Sequence, residues 1–270
     1  AEPGEGGKAG TAVAVATLGA DSLDGVKVIY RQRPKLEGPN HFGSRIAFDG
    51  TPPGSGGHVF ISQGERNDRP TAQQLDMLQG KLVRLNLDGS VPQDNPFVGR
   101  EDAQPEIWSY GHRNAQGLAT DPRTGTLWES EHGPRGGDEI NLPKPGKNYG
   151  WPVITHGINY SGFPIPEAVG SSAPGMEQPH HVWAKSPALS GMAFLVNQPQ
   201  SKWNNSLFQG ALSDGSLIRL SLDGDRIAGE ERLLKELGAR IRDVRVGADG
   251  SVYVLTDQKD GKLLRIEPPR

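Results

Sequence analysis

The chain has 270 residues, enough for one large domain, and a formal net charge of -3 with acidic and basic side chains interspersed. That balance excludes a basic nucleic-acid surface and an acidic disordered tail. It contains no cysteine, which excludes disulfides and thiolate metal sites, and no apolar run reaches the roughly 18 residues of a membrane span. Its 37 glycines and 22 prolines show no collagen period, a composition that reads as many short strands joined by tight turns.

Residues 1–11 are polar and glycine-rich, with neither a charged n-region nor an apolar h-region. The expectation is that a leader has been removed or that the chain begins partway through a longer protein. Residues 11–18 and 26–31 read as strands. A three-strand phrase then recurs. Its first copy is Arg45–Gly50, His58–Ser62 and Gly80–Gly89, and its second is Gly117–Pro122, Thr126–Ser130 and Asp138–Leu142. The third is Gly191–Phe194, Ser206–Leu212 and Ser216–Gly224, and the fourth is Val244–Gly250, Ser251–Asp257 and Gly261–Glu267. Such repetition predicts an all-β propeller with long inter-strand loops. Four copies with a partial lead-in do not close a ring, so part of the ring is expected to precede residue 1. Thr71–Gln79 and Glu230–Leu237 are the two helix candidates.

The loop from Glu129 to Pro152 holds five glycines and four prolines, yet apolar residues punctuate it. A segment so costly in backbone freedom usually positions something. Gly133-Pro134 can aim carbonyl oxygens at one point, and Asp138, Glu139 and the Tyr149 carbonyl add more, a set suited to calcium. The alternative is a surface loop with solvated acids. His41, before the first copy, is a candidate general base; the alternative is a surface or structural histidine. Arg113 and Asn114 precede the second copy, and Arg240 and Arg242 the fourth. Two residues apart in extended chain, Arg240 and Arg242 face the same way and with Arg113 would suit a ligand bearing several carboxylates. Ordinary ion pairing of Arg242 and Asp243 is the alternative. Trp183 is either a stacking wall or core.

These phrases carry a resemblance. Asn-His-Phe-Gly-Ser-Arg, Gly-His-Arg-Asn-Ala-Gln-Gly, Glu-His-Gly-Pro-Arg-Gly-Gly-Asp-Glu-Ile-Asn, Lys-Asn-Tyr-Gly-Trp-Pro, Gly-Ile-Asn-Tyr-Ser-Gly and Arg-Ile-Arg-Asp-Val resemble those of the soluble aldose sugar dehydrogenases. Those enzymes are relatives of soluble glucose dehydrogenase that use pyrroloquinoline quinone (PQQ). The resemblance implies a six-bladed propeller that holds PQQ and calcium and oxidises aldoses at C1 to lactones. His41 would correspond to the base that takes the C1 hydroxyl proton while hydride passes to the quinone. Arg113, Asn114, Tyr160, Arg240 and Arg242 would contact the quinone, with Trp183 as an aromatic nearby. The Gly133 and Pro134 carbonyls would bind the cofactor's calcium, and Glu139 and Tyr149 a second calcium. Ala211 and Leu212 would offer backbone groups. Ser213 stands where the family usually has a lysine, which implies weaker PQQ binding. The family's chains begin earlier, with a first blade and a quinone-contacting glutamine. The resemblance also implies a periplasmic monomer or weak dimer that acts on an aldose and passes electrons to an unidentified acceptor, with no nucleic-acid partner. A non-catalytic propeller that binds a glycan or protein is the alternative. A calcium-dependent lactonase is a third, for which the carboxylate set is not found.

Overall fold

The computed structural model of the protein describes residues 1–50 and 54–270. Six antiparallel sheets follow one another along the described chain. The first two are small: β1 (Glu2–Pro3) pairs with β2 (Ala9–Gly10), and β3 (Ala12–Leu18) with β4 (Leu23–Arg31). Next comes a four-stranded sheet of β5 (Gly43–Phe48), β6 (His58–Gln63), β7 (Lys81–Asn86) and β8 (Ile107–Tyr110). A second is built from β9 (Ala115–Thr120), β10 (Leu127–Glu131), β11 (Asp138–Asn141) and β12 (His181–Trp183). A third holds β13 (Leu189–Leu195), β14 (Ser206–Ala211), β15 (Leu217–Asp223) and β16 (Arg226–Leu233). The last has three strands, β17 (Ile241–Val246), β18 (Val252–Thr256) and β19 (Leu263–Ile266). No helix among the described residues is long and apolar enough to cross a membrane.

Within each of the last four sheets the spatial order is the chain order, so each is an up-and-down meander. Their first strands pack against one another in succession, β5 on β9, β9 on β13 and β13 on β17. From β5, Arg45 donates to the Gln116 carbonyl of β9 at 2.8 Å and to Asp243 of β17 at 3.0 Å. The four first strands therefore surround a common axis, and the arrangement is propeller-like.

Apolar side chains fill the spaces between successive sheets. Ala47, Phe60 and Leu82 meet Leu118 and Leu127; Trp128 and Ile140 meet Met192, Leu207 and Ile218; Leu195 and Phe208 meet Val244 and Val254. Strands covered on both faces, such as β14, are buried throughout, which is why their sequences read as nearly continuous apolar runs.

The three-strand phrase holds, but three of the four copies carry a fourth strand that the pattern did not show: β8, β12 and β16. These are outer strands. β12 is three residues long and follows β11 only after a long excursion, and β16 carries Glu230, Glu231 and Arg232 on an exposed edge. Neither helix candidate is helical. Residues 71–79 contribute only the end of a 3₁₀ turn, Arg69–Gln73. The ammonium of Lys81, fully buried, donates to the Thr71, Ala72 and Gln79 carbonyls at 2.8, 3.1 and 2.6 Å, so those oxygens are engaged outside a helical ladder. Residues 230–233 lie in β16, where Glu230 and Arg232 register against Leu220 and Ile218, and only Lys235–Leu237 turns in a 3₁₀ manner.

Gly191 of β13 lies close against Asp243 of β17. A Cβ there would lie 1.8 Å from Asp243 Oδ1, the oxygen that also takes Arg45 and the Val244 amide, each at 3.0 Å. Gly191→Ala is expected to lower stability by about 1–3 kcal/mol through overpacking, read as a fall in the urea midpoint. An unchanged midpoint would show that Asp243 moves away freely.

Candidate active site

His41 is held by a tight exchange between the segment before β5 and the turn after β6. Its backbone is left-handed, with φ of 52°, an unusual conformation for a residue with a Cβ. Its carbonyl accepts the Arg66 amide at 3.2 Å, and a Cβ on Gly64 would come within 2.0 Å of that same oxygen, so position 64 must be glycine for the chains to pass. The imidazole meets the fully buried Glu65, with Nδ1 at 2.6 Å from Oε2, and keeps 15% of its side chain exposed. A carboxylate only accepts, so Nδ1 carries the proton and Nε2 presents a free lone pair.

The turn that carries Glu65 leans on the segment before β9. The Glu65 amide donates to the Arg113 carbonyl at 3.0 Å, and the Gly43 amide to Asn114 Oδ1 at 3.3 Å. Both residues of the Arg113-Asn114 pair are buried, and both amides donate to one oxygen, Glu131 Oε2, the Asn114 amide at 3.2 Å. The Arg113 guanidinium donates to the His132 and Gly133 carbonyls at 3.0 and 2.9 Å and lies 5.2 Å from the Trp151 ring centre. Its Nε is buried without a partner.

The glycine-rich loop thus delivers the Gly133 carbonyl to a cation. Asp138 fixes the loop's shape, since its two oxygens take the Gly133 and Leu189 amides at 3.0 and 3.2 Å. Both being engaged, Asp138 is a poor additional metal ligand, contrary to the reading that counted its oxygens with Glu139. A cavity of about 20 Å³, room for one water-sized occupant, is bounded by Arg113, Glu131, Gly133, Pro134, Glu139 and Tyr149.

Beneath it lies a group the sequence reading missed. Glu129 pairs across the sheet with Asn141, and Glu131 with Glu139. Residues two apart on a strand share a face, so all four side chains meet on one side. Asn141 Nδ2 stands 3.1, 3.2 and 3.1 Å from oxygens of Glu129, Glu131 and Glu139. His112, stacked on Tyr149 at 4.9 Å, places Nδ1 3.3 Å from Glu131. The signal was present as Glu-x-Glu on one strand and Glu-x-Asn on the next. Loss of hydration, then repulsion from Glu131, pushes the carboxyls of Glu129 and Glu139 well above the usual range.

Across the axis, Arg240 and Arg242 converge on Asp257 Oδ2 at 3.2 and 2.6 Å, and Asp243 pairs with Arg45 and Arg245 instead. The guanidinium of Arg242, then that of Arg240, holds the Asp257 carboxyl below the usual range. Arg45 connects the two halves: it donates to the Arg242 carbonyl at 3.3 Å and to that of Gln116, whose amide reaches Asn114 Oδ1 at 3.0 Å. The remaining candidates stand apart from this hydrogen-bonded chain. Tyr160 is 74% exposed on its loop. Trp183 is core: its indole is buried and donates to Glu230 at 2.9 Å, while its carbonyl takes the Gly137 amide. Ala211 and Leu212 are buried, with their amides bound to the Ser216 and Ala188 carbonyls, so only their own carbonyls are free to serve a ligand; Ser213 is exposed.

The family model for glucose/sorbosone dehydrogenases matches residues 1–265. The chain belongs to that family. It is 53% identical to the aldose sugar dehydrogenase YliI of Escherichia coli over 269 residues, covering 99% of this chain and 71% of that one. Its fold superposes on a crystal structure of a glucose dehydrogenase with a TM-score of 0.94 at 60% identity, over 98% of this chain and 76% of the other. The PQQ-bound aldose sugar dehydrogenase of Streptomyces coelicolor superposes with a TM-score of 0.71 at 30% identity, over 91% of this chain and 66% of that one. The chain is therefore a member of a sugar-oxidoreductase family, as the sequence phrases implied.

The buried glutamates give this dehydrogenase a pH signature. Because the folded pKa of Glu129 lies above its unfolded value near 4.3, the native state binds more protons between the two, and stability falls as pH rises through that window. In metal-free buffer, Glu129→Gln is expected to be the more stable protein at neutral pH, with the gap closing as pH falls toward about 4. Parallel stability curves for the two proteins would show that Glu129 does not titrate abnormally.

Proposed function

We propose that this dehydrogenase oxidises aldose sugars at C1 to lactones with PQQ and calcium, His41 acting as the general base. The observation that carries the reading is the carboxylate-held imidazole beside the Arg113-Asn114-Gly133 corner. Glu65 fixes the ring so that Nε2 is the basic nitrogen, positioned to receive the C1 hydroxyl proton as the C1 hydride departs. Glu65 also stabilises the imidazolium that results. When bound, PQQ supplies the hydride acceptor and calcium the Lewis acid that polarises it.

The residues present fit such a group. Arg113 has an unpartnered buried Nε, and Arg240 and Arg242 share a single carboxylate between two guanidiniums, which leaves donors for a ligand with several carboxylates. Asn114 borders the same corner, and Tyr160 would extend it from its exposed loop. The Ala211 and Leu212 carbonyls and the Ser213 hydroxyl would complete the rim, without the charge a lysine would bring. Trp183 would support this rim from the core rather than stack on the ligand. The Gly133 and Pro134 carbonyls would hold the cofactor's calcium, and Glu139 with the Tyr149 carbonyl a second one; Gly133, Pro134, Glu139 and Tyr149 all border the small cavity, and their oxygens are the ligand type a hard cation requires. In the same reading the complete protein is a six-bladed ring, periplasmic, a monomer or weak dimer, that passes electrons to an acceptor not yet identified.

Dye-linked aldose oxidation by protein reconstituted with PQQ and calcium tests this. His41→Ala is expected to lower kcat by about 10²–10⁴-fold while PQQ binding, followed by absorbance, persists. An inactive wild type that still binds a glycan, or a His41→Ala enzyme of undiminished rate, would favour a non-catalytic propeller or a different base.

A further inference from the structure

We propose that Lys185, on the segment that joins β12 to β13, supplies the rim cation that Ser213 does not, and that it meets a carboxylate of the cofactor. The proposal rests on the cofactor reading above and adds to it a residue that stands outside the hydrogen-bonded chain round His41.

The segment is fixed on two sides. On one, the glycine-rich loop crosses it: the Gly137 amide donates to the Trp183 carbonyl at 2.9 Å, and a Cβ on Gly136 would lie 2.6 Å from the Ala184 oxygen. On the other, the turn after β14 leans on it, with the Leu212 and Ser213 amides donating to the Ala188 and Pro187 carbonyls at 2.8 and 2.9 Å. That turn also borders Ala239, whose oxygen a Cβ on Gly215 would meet at 3.4 Å. Arg240 follows Ala239 directly. Lys185 therefore stands between the loop that presents Gly133 and the turn beside the Arg240-Arg242 pair.

Lys185 and Ser213 line one cavity, of about 570 Å³, and its charge is unbalanced. Arg232 lines it too, but that guanidinium is engaged with Asp214 and, at 2.6 Å, with Glu230. Among the described residues no carboxylate pairs with Lys185, nor with Lys235 on the turn after the outer strand β16. Unpaired surface lysines are ordinary; what sets Lys185 apart is its neighbour. The Ser186 hydroxyl, in the wall of the same cavity, is buried with no hydrogen-bond partner, a costly state that an accepting ligand relieves. An ammonium with the Ser186 and Ser213 hydroxyls is a donor set for an anion, and a carboxylate has two oxygens to share among them. Because the lysine charge rides on a flexible four-carbon stem, it can be delivered from position 185 as well as from 213. The loss expected from serine at 213 is then offset from across the cavity.

Titration with PQQ in calcium buffer, followed by quinone absorbance, gives a Kd without any turnover of sugar. Lys185→Ala is expected to raise that Kd by about tenfold, whereas Lys185→Arg, which keeps the charge, should stay near the wild type. Adding Ser213→Lys to Lys185→Ala should restore most of the affinity. Lys202→Ala removes an exposed lysine just before β14, at the end of that sheet away from Ser213, and should bind as the wild type does. Lys185 and Ser213 are both exposed, so neither substitution disturbs the core. An unchanged Kd in Lys185→Ala, an equal loss in Lys202→Ala, or no recovery in the double variant would overturn the proposal. A wild type that takes up no PQQ would overturn the cofactor reading and this proposal together; a wild type that binds PQQ no better than Lys185→Ala would overturn this proposal alone.

Discussion

The carboxylate of Glu131 is the junction on which this molecule's candidate chemistry depends. One oxygen orders the Arg113-Asn114 backbone; the other belongs to a buried acidic cluster whose members come from two paired strands. Arg113 in turn aims its guanidinium at the Gly133 carbonyl, and its own carbonyl receives the turn that carries Glu65 and so His41. The imidazole and the guanidinium thus lean on one buried carboxylate through the Arg113-Asn114 backbone, while Asp138 fixes the loop that presents the Gly133 carbonyl. Preorganisation of this kind is what a polar site needs, because groups already oriented do not have to reorganise during reaction.

The sheets supply the frame. Four first strands packed round one axis bring together segments that are 198 residues apart along the chain, as between Arg45 and Asp243. The axis is narrow enough that Gly191 has no room for a Cβ beside Asp243, and polar enough that Arg45 can link β5, β9 and β17 in one set of hydrogen bonds. Apolar clusters fill the spaces between successive sheets and contribute stabilising burial. The axis supplies alignment.

Much of this was legible in the sequence, for physical reasons that also explain what was not. Inner strands are buried on one or both faces, so their apolar alternation survives in the sequence, and the Asp-Gly and Gly-Lys turns mark their ends. Of the outer strands, β8 and β12 are four and three residues long, too short to show a period even though Ile107 and Trp183 reach the core, and β16 carries polar side chains on an exposed edge, so no pattern announced them. Residues 71–79 misled because a helix-like composition is overridden when Lys81 donates to the carbonyls. His41, Arg113, Asn114 and the Gly133-Pro134 pair were readable as candidates because each lies at a strand entry or in a costly loop. Glu129, Glu131 and Asn141 escaped because they look like ordinary strand residues until the register of β10 and β11 is known. Tyr160 and Ser213 entered through family resemblance alone, Trp183 also through its place before the third copy, and their bonding in the fold does not by itself single them out.

A crystal structure of the protein grown with PQQ and calcium tests the central claim most directly. The account predicts quinone carboxylates on the guanidiniums of Arg113, Arg240 and Arg242, with a calcium ion on the Gly133 and Pro134 carbonyls and His41 Nε2 facing the open side. A quinone bound elsewhere, or one whose calcium does not touch the loop after Glu131, would contradict it.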